Sequence, residues 1–232
     1  MRQSSRAFVA FLLLGLILDL RERSEGAEGG DRSSVVNLVQ NGSFELATNG
    51  PTAEAPGIPD GICVYRSIPG ERGASAGVFF GLDETTAAHG KRSLRISVAK
   101  GAGAGPVHAI TYSYRAMAEM PHTLSVSLRS EPAGIPVTLC FPGLAATCQP
   151  SAEWKRYTIP FKTPTGPIRA AVEILLKDAG KLAEGATVWI DTLQLETGET
   201  AHDYVEALPR AGVRANAAIA LGPPPSVRAA RT

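Results

Sequence analysis

Polar and apolar residues alternate along much of the chain between residues 35 and 206. The clearest run is Ser93-Leu94-Arg95-Ile96-Ser97-Val98, which puts Leu94, Ile96 and Val98 on one face of an extended strand. Thr123 to Arg129 repeats the pattern, with Leu124, Val126 and Leu128 on one face. Further strand-like runs are 35–39, 77–81, 107–114, 137–141, 155–161, 170–176 and 187–195. No window sustains a 3.6-residue repeat for three turns. The runs recur roughly every 12–20 residues with Pro and Gly between them, the pattern of an all-β sandwich or barrel. Residues 49 to 75 hold Pro51, Pro56, Pro59 and Pro69 and few strand formers, so they read as one long loop, a place where sandwiches carry function.

The flanks differ from this middle. Arg2 and Arg6 precede an apolar run from Ala7 to Leu18, which charged residues then stop. The run is too short to span a bilayer comfortably and suits a signal peptide over residues 1–26, with an uncleaved anchor or a mis-assigned start as alternatives. Cleavage there means a secreted, periplasmic or envelope protein with no membrane span. Residues 27–34 are a charged, Gly- and Ser-rich linker. Residues 207–232 carry four Arg, no acid and a Pro223-Pro224-Pro225 run, and read as a disordered tail or a connection to another domain.

Gly and Pro together make up 41 of 232 residues, natural for many short strands joined by turns. Aromatics are 6%, so stacking platforms are few. The net charge is +1, which gives no electrostatic case for nucleic acid or an anionic membrane. Of the three cysteines, Cys140 and Cys148 suit a disulfide in an exported protein, worth about 2–3 kcal/mol in the chain-entropy model. Cys63 then reads as a small apolar core residue. No cysteine or histidine spacing suits zinc.

Enzyme motifs fail on context. Gly73-Ala74-Ser75-Ala76-Gly77 matches a nucleophile elbow, with Asp191 and His202 following in hydrolase order, but a loop precedes it and a strand follows. The glycines from 101 to 105 open no helix, and Gly90-Lys91 lacks the rest of a phosphate loop. No pair of acids for glycoside cleavage stands out. Asn41-Gly42-Ser43 is an N-glycosylation sequon, relevant only in a host that glycosylates exported proteins.

Five segments, in order, resemble the carbohydrate-binding modules of the family 4/9/22 grouping. Asn37-Leu38-Val39-Gln40-Asn41-Gly42-Ser43-Phe44-Glu45 is similar to their opening, and His89-Gly90-Lys91-Arg92-Ser93-Leu94-Arg95-Ile96 to a strand after a turn. Thr123 to Arg129, Glu153-Trp154-Lys155-Arg156-Tyr157 and Trp189-Ile190-Asp191-Thr192-Leu193-Gln194-Leu195-Glu196 complete the set. The resemblance implies a galactose-binding-like jelly roll of two antiparallel sheets. It implies a non-catalytic module that binds a polysaccharide or surface glycan, in association with a glycoside hydrolase. The alternative is a structural or protein-interaction sandwich of an extracellular or envelope assembly, since a fold does not dictate a ligand.

The resemblance also implies a structural calcium held by Glu45, the Gly90-Lys91 turn and Asp191. Carboxylates and turn carbonyls are the oxygens that calcium takes. Otherwise Asp191, in an apolar strand, accepts backbone amides or pairs with Lys91 or Arg92. It implies too that Trp154 and Trp189 sit in the core. For a sugar, the residues themselves offer Tyr112 and Tyr114 on one strand face, Tyr65 in the long loop, and Ser127, Arg129 and Glu173 as polar partners. On a concave sheet these would line one groove. Otherwise the face is merely solvated.

Overall fold

The computed structural model describes residues 35–48, 50, 57–66, 78–98, 106–112, 116–166 and 171–207, with the backbone alone for 63–66, 78, 108 and 110–112. The signal segment, the linker, residues 208–232, Tyr114, Ser75 and the 101–105 turn lie outside the described residues.

Among the described residues ten strands form two five-stranded sheets. In chain order they are β1 (Ile62–Arg66), β2 (Val78–Asp83), β3 (Ser93–Val98), β4 (Val107–Tyr112), β5 (Pro121–Glu131), β6 (Val137–Phe141), β7 (Leu144–Cys148), β8 (Lys155–Lys162), β9 (Ala171–Leu176) and β10 (Thr187–Thr197). The first sheet runs β1-β4-β9-β6-β7 and the second β2-β3-β10-β5-β8, with every pair antiparallel. Among the described residues the only helical element is a 3-10 turn at Ala179–Lys181, and no helix is long and apolar enough to cross a membrane.

Alternation explains the core. Leu94, Ile96, Leu124, Val126, Leu128, Val188 and Ile190 are buried from the second sheet. They join Val107, Ala109, Val137, Leu139, Val172 and Ile174 of the first in one apolar cluster. The sandwich exists because each sheet has one apolar face to hide.

One irregularity in β10 shapes the site. Its pairing with β5 shifts between Asp191, opposite Ser127, and Gln194, opposite Ser125, which inserts one extra residue. Thr192 takes φ 48 there. The bulge turns Leu193 and Leu195 into the core, where unbroken alternation would have sent Thr192 and Gln194. Asp191 and Thr192 stay on the outer side, and the Thr192 hydroxyl donates to Ser127 Oγ at 2.7 Å.

β3 pairs with β10 only as far as Ile190, and the chain from 37 to 42 then takes over that edge. Leu38 N donates to Leu195 O at 2.7 Å, and Leu193 N donates to Gly42 O at 2.8 Å. Asn37 fills the gap between them. Its Oδ1 accepts from Val39 N (2.9 Å) and Leu195 N (3.1 Å), and its Nδ2 donates to Leu193 O (3.1 Å) and Val205 O (3.0 Å). The 35–39 run, expected as a strand, is therefore an irregular segment with a single bridge at Val39, because the Asn37 side chain replaces part of the backbone ladder.

Residues 202–205 lie over the far end of the same sheet. Gln194 Oε1 accepts from Val205 N at 2.8 Å, and His202 Nδ1 meets Glu196 Oε2 at 2.6 Å. Burial, and then the Glu206 charge, push the Tyr204 hydroxyl's pKa up. Tyr204 thus stays protonated and donates to Glu206 Oε2 at 2.8 Å.

Two strands differ from expectation. β1 lies inside the stretch read as one long loop, and its pairing with β4 makes it a strand. β7 occupies the segment read as a disulfide loop. Phe141 pairs with Leu144 across a two-residue turn, Pro142-Gly143, with Gly143 at φ 89. That hairpin rules out the Cys140–Cys148 disulfide. Cys148 is opposite Val137 and buried in the core, whereas Cys140 is opposite Ala145 on the other face, so the two side chains point apart. Both are free thiols, and burial pushes the Cys148 thiol up to about 11, which makes it a poor nucleophile.

Candidate functional site

The expected single groove is divided between the two sheets. In the first sheet the register opposes Tyr65 to His108, and Ile110 to both Cys63 and Glu173. Tyr112 is opposite Ala171, and Glu173 opposite Cys140. The buried Val107, Ala109, Val172 and Ile174 hold the alternate positions. Positions 65, 112 and 173 therefore have the same parity in the register of this sheet. Glu173 is half-buried, and its charge, after burial, raises the neighbouring Cys140 thiol's pKa.

Ser127 and Arg129 stand instead on the outer face of the second sheet. Ser127 is 7% exposed and its hydroxyl is engaged by Thr192, so it is not free to read a sugar. Arg129 is opposite Trp189, and its guanidinium carbon lies 4.9 Å from the centre of the indole ring. Trp154 and Trp189, expected in the core, are both half-buried on this outer side. The reason is parity: Trp189 lies between Val188 and Ile190, which face inward. Both indole N–H groups are used, Trp189 Nε1 to Asp83 Oδ2 at 2.9 Å and Trp154 Nε1 to Thr86 Oγ1 at 2.9 Å. Phe79, one rung away on β2, is 64% exposed. Burial works against the charge of Asp83. Hydrogen bonds from Thr85 and Trp189 and the nearby Arg95 outweigh it and hold its carboxyl below the usual value.

Glu45 and Asp191 meet at one turn, between residues 88 and 92. Asp191 Oδ2 accepts from Ala88 N (2.7 Å) and His89 N (2.8 Å), and its Oδ1 accepts from Thr192 N (2.6 Å). Glu45 Oε1 accepts from Lys91 N (2.6 Å) and Arg92 N (2.8 Å). Lys91 thus meets Glu45 through its backbone amide. Gly90 has φ +71, and a Cβ there would come 2.3 Å from Glu45 Oε1, so the turn closes on the carboxylate only because the residue is glycine. Burial, and to a lesser degree the Glu45 charge, raise the Asp191 carboxyl to about 7, against the three amides that lower it. Beside the turn is a cleft of about 580 Å³, lined by Glu45, Glu84, Thr86, Gly90, Lys91 and Arg92 among others. Among the described residues no group of three or more His, Cys, Asp or Glu side chains converges on a point.

No family model matches the chain, and no curated protein does. Among solved structures, it resembles carbohydrate-binding modules. TmCBM61, solved in complex with β-1,4-galactotriose, is 13% identical, with 70% of this chain and 99% of that one covered and a TM-score of 0.48. A family 4 carbohydrate-binding module is 13% identical over 69% of this chain and 99% of that one, with a TM-score of 0.49. A cyclase from Fischerella sp. is 14% identical over 73% of this chain and 99% of that one, also at a TM-score of 0.49. A fold does not by itself dictate a function, which must be argued from side chains.

Proposed function

We propose that the chain is an exported, non-catalytic carbohydrate-binding module of the jelly-roll type, and that it takes a polysaccharide on the outer face of the first sheet. The observation that supports this reading is the register, in which positions 65, 112 and 173 have one parity. Tyrosine rings suit the C–H face of a sugar, and a carboxylate reads its hydroxyls.

Binding to a panel of glycans and insoluble polysaccharides tests this. Tyr112→Ala should weaken binding about tenfold, the loss of roughly 1.4 kcal/mol of stacking and contact area. Ser127→Ala should leave it unchanged. A folded protein that binds nothing on the panel overturns the reading and favours a structural or protein-interaction sandwich.

The reading includes a structural calcium at Glu45 and Asp191. Two carboxylates that feel each other's charge at one turn, with Glu45 lining an open cleft, offer oxygens of the kind a hard cation takes. When bound, the ion would offset the repulsion of the two acids and tie the 41–45 segment to β10. Calcium at about a hundred times its dissociation constant should raise the melting temperature by roughly 5–10 °C over chelator. Glu45→Gln should remove most of that rise. A melting temperature that chelator leaves unmoved sinks the calcium assignment and leaves the amide-accepting arrangement as the whole role of these acids.

A further inference from the structure

The outer face of the second sheet carries a line of side chains that the first-sheet site does not use. The register puts Arg95 opposite Trp189, and Trp189 opposite Arg129. Trp154 immediately precedes Lys155, which is opposite Leu128, so it lies beside Arg129 at the edge of the same rung. Adjacent strands are about 4.8 Å apart, so arginine and tryptophan alternate across four neighbouring positions.

Their polar partners are few and shared. Asp83 Oδ2 accepts from the Trp189 indole at 2.9 Å and lies 3.5 Å from Arg95 Nη1. Thr86 Oγ1 accepts from both Trp154 Nε1 at 2.9 Å and Arg129 Nη1 at 3.1 Å. Among the described residues Arg129 has no carboxylate partner, and its Nε is buried with no hydrogen-bond acceptor. Of the two guanidinium groups only Arg95 thus has a carboxylate, Asp83, which is itself committed to an indole. The Arg95 side chain is 43% exposed, so the positive end of the rung is open to a ligand.

A guanidinium without a carboxylate partner is an unneutralised charge, and an anion that reaches the part of Arg129 that is not buried gains by pairing with it. Guanidinium forks match carboxylate geometry, and indole rings match the apolar face of a sugar ring. We propose that this rung is a second binding site, selective for an acidic saccharide, with Arg95 and Arg129 gripping the uronate carboxylates, Trp154 supplying the stacking surface and Trp189 backing the Arg129 guanidinium. It lies on the sheet opposite the polysaccharide face proposed above and does not depend on that face.

The test is titration calorimetry of the purified protein with an oligogalacturonate, with its methyl ester, which lacks only the charge, and with polyglutamate as an anion without a sugar ring. The acidic oligomer should bind, and both controls should bind at least tenfold more weakly. Arg95→Gln and Arg129→Lys should each weaken the acidic oligomer at least tenfold, while Tyr112→Ala leaves it unchanged. Arg95 is exposed enough that its variant will fold, so it decides the matter if Arg129→Lys does not. No binding, equal binding of the ester or of polyglutamate, or indifference to Arg95→Gln overturns the proposal. Loss through Tyr112→Ala alone would assign the acidic sugar to the first sheet instead. Failure to bind neutral polysaccharides would count only against that other face.

Discussion

Gly42→Ala should destabilise the fold by about 3 kcal/mol or more, at the upper end of what overpacking costs. A Cβ on Gly42 would come 2.0 Å from the carbonyl oxygen of Leu193 and 3.1 Å from its carbonyl carbon. These are backbone atoms of β10, so no rotamer change relieves the clash. The chain must move, and the Leu193 N to Gly42 O hydrogen bond, at 2.8 Å, is the first thing to break. Val39 and Phe44, both fully buried, are anchored by the segment that would be displaced. Urea unfolding measures the effect. The midpoint should fall with the slope unchanged, the mark of an altered stability rather than an altered denatured state. Gly50→Ala is the control, since its Cβ would meet only Ala47 O, at 4.0 Å, and it should be near neutral. Equal behaviour of the two variants would mean that the close approach to β10 is not there.

Asn37→Asp should cost nearly as much as Asn37→Ala, about 3–5 kcal/mol in each case, because buried groups lose their partners. The native amide makes four hydrogen bonds, two accepted and two donated, which is all that an asparagine of this geometry can use. Aspartate keeps the two acceptor bonds but sets a carboxylate against Leu193 O and Val205 O, where two N–H donors had been. Thermal or urea unfolding of both variants provides the measurement. If aspartate costs less than 1 kcal/mol, the bonds to these carbonyls contribute little.

Where side chains alternate strictly, the fold was legible. β3 and β5 follow from Leu94, Ile96, Val98 and from Leu124, Val126, Leu128, because a two-residue period has one structural meaning over six positions. β1 and β7 were not. β1 is five residues in a proline-rich stretch, and its case rests on β4, a partner distant in sequence. β7, Leu144-Ala145-Ala146-Thr147-Cys148, has little strand propensity of its own, and its pairing is set by the Pro142-Gly143 turn. That dipeptide was visible, but the flanking cysteines drew attention to a bond that strand parity forbids.

The site was legible in part. Glu45, the Gly90 turn and Asp191 do come together, from places far apart in the sequence. Positions 65, 112 and 173 fall in one sheet, but Arg129 and Ser127 belong to the other, since assigning strands to sheets needs pairings that periodicity does not contain. The outward position of Trp189 was readable: a residue between Val188 and Ile190 in a strand faces away from them. The bulge at Thr192 was not, because nothing in Asp191-Thr192-Leu193 announces an extra residue. Only the burial of both Ile190 and Leu193 reveals the change of phase.

The Asn37 amide has a mechanical consequence. One side-chain nitrogen donates both to β10 and to the segment that leaves it near Val205, so the first and last described stretches of the sandwich are tied at one corner. Whatever polymer or neighbour is attached through either stretch pulls on this corner, where Asn41 N also donates to Ala207 O, before it strains a strand. Tension along the chain would be met there first, leaving the rungs of both outer faces undistorted until the corner gives way.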